Sequence, residues 1–232
     1  GVPNVYNTAV VFDRQGEVVG TYRKTFLTYG NTVEKGFSMR QGGVLPVFQT
    51  DFGVVGVLIC FDVHFPELWN ELDVLGVDVV LWPSAFDGRT LVKAFSVLHN
   101  YPIILVGHSV MYEAGGRVVE ALCEKQTTGY TSFGMEGQSF KATLATIDTD
   151  QQIVYRNDPQ NSVRRLTDEV LADSECLSGT MIDDVNIAIK STCPNVSAKA
   201  LLEHRMVRGV RSYMREARAL LNSWRQEGKR VP

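Results

Sequence analysis

Short apolar segments rich in β-branched residues recur along the first half of the chain, and segments with helical spacing separate them. The predicted strands cover residues 54–59, 77–82 and 101–107, and the predicted helices cover residues 66–75 and 90–99. Strands and helices that alternate in this way are typical of a layered α/β domain. The strand at residues 54–59 is apolar on both faces, so we expect it to be central and covered on both sides.

Further strands flank this alternating region on both sides. An N-terminal hairpin is predicted from two strands joined by a Gly16 turn, and a second pair is predicted around Thr149-Asp150. The strands of these two pairs, with one more before the central strand, cover residues 6–13, 18–22, 45–50, 141–148 and 151–155.

The C-terminal part carries a different pattern. Ser197 is a typical N-cap residue, and apolar residues follow helical spacing from there to about Trp224. Arginines on the opposite face make nucleic-acid or membrane binding an alternative. Glutamates in the same segment offset part of the positive charge, so we favour a helix whose apolar face packs on the domain or on a neighbouring protein. The predicted domains are an α/β domain at 1–163, an irregular extension at 164–196, and the amphipathic helix and tail at 197–232.

The composition is that of an ordinary globular protein, with 44% hydrophobic and 21% charged residues and a net charge of −3. Neither nucleic acid nor a membrane is therefore an expected partner. The four cysteines are not spaced as metal ligands, so we expect reduced thiols, no metal and a cytoplasmic location. Asn195-Val196-Ser197 is a glycosylation triplet that matters only in a secreted chain.

Cys60 is the main candidate for chemistry, because it stands where the predicted strand ends and before the next helix begins. Nearby backbone N–H groups can lower the pKa of a thiol in such a turn or bind an oxyanion. A buried structural cysteine is the alternative. A nucleophile also needs a base and a positive charge, and Lys24 and Glu34 are candidates. We expect His64 to be a surface or helix-capping residue.

Several blocks of the sequence together resemble the nitrilase superfamily of carbon–nitrogen hydrolases. The blocks are Tyr22-Arg23-Lys24-Thr25-Phe26-Leu27, then Glu34, then the segment from Gly53 to Glu67 around Cys60-Phe61-Asp62, and then Trp82-Pro83-Ser84-Ala85-Phe86. Their order and approximate spacing match from about residue 7 to residue 108, with a weaker match at residues 142–148.

This resemblance implies a four-layer αββα sandwich and a Glu–Lys–Cys mechanism that needs no cofactor. Cys60 would be the nucleophile that forms a thioester, Lys24 and the Phe61 N–H would stabilise the oxyanion, and Glu34 would orient the lysine and the substrate. The Trp82 and Phe86 region hints at an apolar pocket lining. The family also implies a homo-oligomer, a dimer or higher.

The family's general-base glutamate precedes the lysine, and this sequence begins after that point, so the N-terminal third of the sandwich is expected to be missing. We therefore predict that upstream residues or another chain complete the sheets and supply the base. Alone, the chain should be inactive and prone to aggregate. The function implied is hydrolysis of a small amide, carbamoyl or nitrile compound. The alternative is an inactive structural subunit of a larger assembly.

Overall fold

The computed structural model describes most of the chain as two compact units, Gly1–Thr149 and Asp150–Pro232. The described residues are 4–28, 39–86, 88–106, 110–112, 118–120, 123–128, 139–144, 146–155, 171, 175–205 and 207–226. For Arg89 and for the segments between residues 106 and 144, only the backbone is described.

The first unit opens with the predicted N-terminal hairpin. Strands β1 (Thr8–Phe12) and β2 (Val18–Arg23) pair antiparallel. Asp13 fixes the turn between them, since its carboxylate accepts hydrogen bonds from the backbone N–H groups of Gln15 and Glu17, both at 2.9 Å. Gly16 adopts a φ of 86°, a conformation that favours glycine.

A six-stranded sheet forms the centre of this unit. Its strands are β3 (Val47–Thr50), β4 (Gly53–Val57), β5 (Val79–Pro83), β6 (Ile103–Val106), β7 (Val110–Tyr112) and β8 (Val118–Glu120), and they lie side by side in chain order. Strands β4, β5 and β6 are parallel, and the remaining neighbours are antiparallel. Strand β4 is thus an inner strand beside the edge strand β3, and it is not the central one.

Helices connect the parallel strands, as the sequence predicts. A 3-10 turn (Cys60–His64) and helix α1 (Pro66–Val74) follow β4, and helix α2 (Arg89–His99) follows β5. The helices pack together through Trp69 and Phe95, whose rings stack at 4.4 Å. Both side chains are buried, so this contact belongs to the hydrophobic core. The α/β alternation over this region is confirmed.

The predicted pairing of the late strands is wrong. Strand β10 (Ser139–Leu144) pairs with β9 (Cys123–Thr128), and strand β11 (Gln152–Tyr155) pairs with β13 (Asn186–Ser191) in the second unit. The short Thr149-Asp150 turn is consistent with a hairpin, but chain proximity alone does not decide which strands pair.

The second unit contains a three-stranded antiparallel sheet, and two of its strands lie in the region 164–196 that the sequence predicts as irregular. Strand β13 lies between β11 and β12 (Leu177–Met181). Cys176 and Cys193 form a disulfide at the open end of the β12–β13 hairpin, so the expectation that these two thiols are reduced is wrong. The apolar side of the sheet is buried beneath the next helix, through Ile189, Leu202 and their neighbours.

The C-terminal segment forms two helices and not the single helix predicted. Ser197 caps α3 (Ala198–His204), because its hydroxyl oxygen accepts a hydrogen bond from the Ala200 N–H at 3.1 Å. Helix α4 (Val210–Gln226) begins after a break that includes Gly209. A Cβ added at Gly209 would lie only 3.1 Å from the side-chain oxygen of Gln152, so the chain passes close to β11 here.

Two predictions fall on residues outside the described parts of the chain. The first is the Gly115-Gly116 turn, although the strands on either side of it, β7 and β8, pair antiparallel. The second is the helix at residues 163–172, of which only Leu171 is described. Within the described ranges, no helix has the length and the apolar character needed to cross a bilayer.

Candidate active site

Strand β4 ends at Val57, two residues connect it to the next element, and Cys60 then begins the 3-10 turn. Its backbone has a φ of 50°, in the left-handed region that few residues other than glycine adopt. Such a conformation costs about 1–3 kcal/mol and persists only where surrounding contacts impose it. The thiol is free and half-buried.

Asp62 holds this turn in place from inside the protein. Its side chain is fully buried, and its carboxylate accepts three hydrogen bonds. The donors are the Ile59 N–H at 2.9 Å, the Phe26 N–H at 2.9 Å and the Tyr22 hydroxyl at 2.7 Å. Ile59 precedes the nucleophile candidate, whereas Tyr22 and Phe26 stand two residues to either side of Lys24. One carboxylate therefore ties the segment around Lys24 to the turn of Cys60.

Lys24 follows strand β2 and is only 3% exposed. Its backbone is fixed on both sides, since its N–H donates to the Asn7 carbonyl at 2.8 Å and its carbonyl accepts from the Gly42 N–H at 2.9 Å. The Phe26 and Phe65 rings stack at 3.5 Å, which adds an apolar contact between the same two segments. A buried lysine with a fixed backbone is unlike a solvated strand-end residue.

Burial dominates the electrostatics of Asp62. It raises the pKa of this carboxyl above the ordinary value, while hydrogen bonds from Phe26, Ile59 and Tyr22 and the positive charge of Lys24 lower it in part. Burial and the charge of Asp62 together raise the pKa of Tyr22. Tyr22 therefore stays protonated and keeps donating its hydrogen bond, and Lys24 lies close enough to Asp62 for their charges to interact.

Three aromatic side chains, those of Trp82, Phe86 and His64, form a connected group at the turn. Trp82 is fully buried, and its indole N–H donates to the Cys60 carbonyl at 3.1 Å. Phe86 is 37% exposed and meets Trp82 edge-on, with ring centroids 5.3 Å apart. His64 is exposed and stacks on Phe86 at 6.0 Å. Trp82 thus supports the backbone of the turn, while Phe86 and His64 present surface to solvent.

Phe61 follows Cys60 in the 3-10 turn, so its backbone N–H lies next to the candidate nucleophile. The Phe61 ring packs against Phe65 in an edge-to-face contact at 5.6 Å and against His64 at 5.0 Å. A backbone N–H beside a turn cysteine is the kind of donor that can bind a developing oxyanion.

The structure ties the segments next to Cys60 and Lys24 to the same buried carboxylate, but Glu34 lies outside the described residues. Tyr22 and Asp62 were not predicted as site residues. The signal for them was available: both stand in the motif blocks, and a charged residue inside an apolar segment requires a buried partner. Among the described residues no group of three or more His, Cys, Asp or Glu side chains could hold a metal ion.

Comparison with known proteins tests the family resemblance. Residues 2–98 match the family model described as carbon-nitrogen hydrolase. This part of the chain is therefore similar to the carbon–nitrogen hydrolase family. The resemblance to the nitrilase superfamily is thereby confirmed, and the mixed α/β fold agrees with it.

Curated relatives include deaminated glutathione amidase of Mus musculus, 36% identical over 146 residues, and of Rattus norvegicus, 30% identical over 146 residues. Each match covers 52% of this chain and 45% of the rodent protein. N-carbamoylputrescine amidase of Arabidopsis thaliana is 27% identical over 142 residues, 59% of this chain and 47% of the plant protein. The chain thus spans about half the length of these relatives.

Solved structures of the superfamily are also similar to this chain. A carbon-nitrogen hydrolase from Helicobacter pylori has a TM-score of 0.46 at 19% identity, with 73% of this chain and 62% of that chain covered. Nit3 of Saccharomyces cerevisiae, a nitrilase superfamily member, has a TM-score of 0.45 at 22% identity, with 73% and 59% covered.

Proposed function

We propose that the protein hydrolyses a non-peptide carbon–nitrogen bond of a small amide or carbamoyl compound, or a nitrile, through a thioester on Cys60. The observation that carries this proposal is the buried Asp62 carboxylate, which ties the Lys24 segment to the strained turn of Cys60. A purely structural domain gains nothing from a free cysteine in a left-handed conformation whose turn shares a buried carboxylate with the segment of a buried lysine. The amidase activity named for several relatives agrees with the reaction class.

For an amide, the Cys60 sulfur attacks the carbonyl carbon after a general base removes the thiol proton. The carbonyl π electrons move to oxygen, and the Lys24 ammonium and the Phe61 N–H stabilise the resulting oxyanion. When the oxyanion collapses, the carbon–nitrogen bond breaks, and the leaving nitrogen takes the proton from the base. Water, deprotonated by the same base, then attacks the thioester, releases the acid and restores the thiol.

Glu34 remains our proposal for the carboxylate that orients Lys24 and the substrate. The general base is proposed to be a glutamate of a segment that packs on the N-terminal hairpin. Support comes from the outer face of β1 and β2, which exposes Phe12 and Val18, each 58% accessible. Apolar side chains paired across two strands in this way form a surface suited to a further layer.

The substrate would be small, and Phe86 with the neighbouring His64 would contribute to one wall of its site. Trp82 would act behind that wall, since it is buried and fixes the Cys60 carbonyl. We also propose that the protein works as a homo-oligomer, or with a complementing chain that packs on the exposed face of the hairpin. Neither proposal requires a cofactor, because the nucleophile and the oxyanion donors are protein groups.

A direct test is electrospray mass spectrometry of the protein expressed from its complete gene, quenched during turnover of a panel of small amides, carbamoyl compounds and nitriles. We expect a covalent adduct on the peptide that contains Cys60, with the mass of the acyl group. Cys60→Ser should lower kcat by at least about 10³-fold, because the hydroxyl is a far poorer nucleophile without a matched base. Lys24→Met should lower it by about 10²–10³-fold.

The matched control is Cys123→Ser, which removes another thiol and should leave turnover unchanged. Equal turnover of wild type and Cys60→Ser would contradict the proposal. No turnover of any compound, with iodoacetamide labelling another cysteine faster than Cys60, would instead favour the inactive structural subunit.

A further inference from the structure

The second unit carries two features that a reducing cytoplasm does not explain. The first is the disulfide between Cys176 and Cys193, and the second is the triplet Asn195-Val196-Ser197, which begins two residues after the disulfide. We propose that the chain folds in an oxidising, glycosylating compartment and that Asn195 carries an N-linked glycan. This inference is independent of the proposed hydrolase activity.

The disulfide lies next to the backbone hydrogen bonds that end the β12–β13 hairpin. Thr192 donates its backbone N–H to the Cys176 carbonyl at 2.8 Å and its hydroxyl to the Glu175 carbonyl at 3.0 Å. Leu177 and Ser191 face each other just inside the disulfide. The two cysteines therefore flank the last pair of a formed ladder. Disulfides of this kind form and persist where the surroundings are oxidising.

Asn195 has the exposure that a glycan acceptor needs. The residue is exposed. The residues Pro194 and Val196 on either side are exposed as well. A sugar on the Asn195 side chain would therefore extend into solvent without displacing any core contact.

The sequence contains one Asn-x-Ser/Thr triplet, so the modification would be confined to a single position. In the transfer, the side-chain nitrogen of Asn195 bonds to the anomeric carbon of a lipid-linked diphosphate oligosaccharide. The bond from that carbon to the phosphate oxygen breaks, the lipid diphosphate leaves, and the amide gives up one proton.

Local structure offers a competing reason for both residues of the triplet. Asn195 has a φ of 61°, which asparagine tolerates better than most residues, and Ser197 caps helix α3. The Ser197 hydroxyl also donates to Asp150 at 2.8 Å. Variants that keep these local roles and remove only the triplet can therefore separate the two explanations.

Ser197→Thr and Ser197→Asn form such a matched pair. Both side chains can cap the helix and donate to Asp150, but only threonine keeps the triplet. Asn195→Asp keeps a side chain that tolerates the left-handed turn and removes the acceptor amide. Each variant would be expressed from the complete gene in the natural host.

The measurement is intact mass before and after treatment with peptide N-glycosidase, with alkylation of the native protein before and after reduction. Wild type and Ser197→Thr should lose one glycan mass, while Ser197→Asn and Asn195→Asp should show no loss. Cys176 and Cys193 should alkylate only after reduction. An unmodified wild type, a loss that persists in Ser197→Asn, or free thiols at both cysteines would overturn the proposal.

Discussion

Among the described residues, three residues other than glycine lie in the left-handed region, and two of them, Cys60 and Asn195, hold it by different means. Cys60 has a φ of 50° and Asn195 a φ of 61°. Asparagine tolerates this conformation because its short polar side chain interacts with the local backbone, whereas cysteine has no such tolerance. The conformation at Asn195 therefore suits the residue type, whereas at Cys60 the surrounding structure imposes it.

The supports of the two turns differ accordingly. The Cys60 turn depends on non-covalent contacts in a buried setting: the Asp62 carboxylate with its three donors, and the Trp82 N–H on the Cys60 carbonyl. The Asn195 turn is exposed and follows a covalent link, the disulfide Cys176–Cys193. Strain is thus concentrated where the chemistry is proposed, which is where proteins commonly hold it.

The largest effect should come from removing the buried carboxylate. Asp62→Ala would leave three donors without their acceptor and the Lys24 charge without its neighbour, so we expect a loss of about 3–5 kcal/mol in the free energy of unfolding. Hydrogen exchange followed by mass spectrometry should show faster exchange in the peptides that contain Phe26 and Ile59.

Tyr22→Phe is the graded control for this variant. It removes the hydroxyl's hydrogen bond to Asp62, together with its contacts to the Thr25 N–H and Oγ1, and leaves the other two donors of Asp62, so the loss should be about 1.5–3 kcal/mol. If Tyr22→Phe destabilised the protein as much as Asp62→Ala, the carboxylate would not be the shared support of the two segments.

Removing the disulfide should have the next largest effect. The cysteines are 17 residues apart. Replacing both by alanine should lower the free energy of unfolding by about 3 kcal/mol, because the unfolded chain gains conformational entropy without the link. We expect faster exchange in β12 and β13, with the peptide around Cys60 unchanged. Faster exchange at Cys60 as well would mean that the two regions do not depend on separate supports.

The sequence predicts the elements around Cys60 well because their signals are local. The apolar segment before the cysteine, Pro66 at the start of α1 and the motif blocks all fall within one short stretch, and the structure forms the strand, turn and helix there. The role of Asp62 was missed because its partners Tyr22 and Phe26 are distant in sequence. A side-chain bridge of that kind requires the tertiary fold.

The second unit was predicted less well for the same reason. The partner of β11 is β13, more than thirty residues away, and nothing local in residues 151–155 specifies it. Cysteine spacing does not determine which cysteines pair, so the disulfide could not be derived. The helix break that includes Gly209 interrupts a regular apolar pattern where the chain passes close to Gln152, and only the fold creates that contact.

Glycine substitutions sharpen the comparison of the two turns. Cys60→Gly should relieve imposed strain and raise the free energy of unfolding by about 1 kcal/mol, while abolishing turnover. Asn195→Gly should change it by only a few tenths of a kcal/mol, because asparagine already tolerates the turn. Denaturant unfolding of the two variants beside wild type measures the difference, and equal gains would mean that Cys60 is no more strained than Asn195.

The smallest effect is the contribution of Asp62 to the pH dependence of stability. Burial raises the pKa of Asp62 in the folded protein above its unfolded value, so the folded state holds this proton more tightly than the unfolded state. The resulting stabilisation is complete below the ordinary aspartate pKa of about 3.9 and is lost as the pH rises through the raised folded value. Asp62→Asn has a similar shape and does not titrate, so subtracting its curve removes the other groups. We expect wild type to lose stability relative to Asp62→Asn as the pH rises from about 3.9. A relative gain over that range would mean that Lys24 and the three donors outweigh burial, and that the carboxylate is stabilised in its charged form.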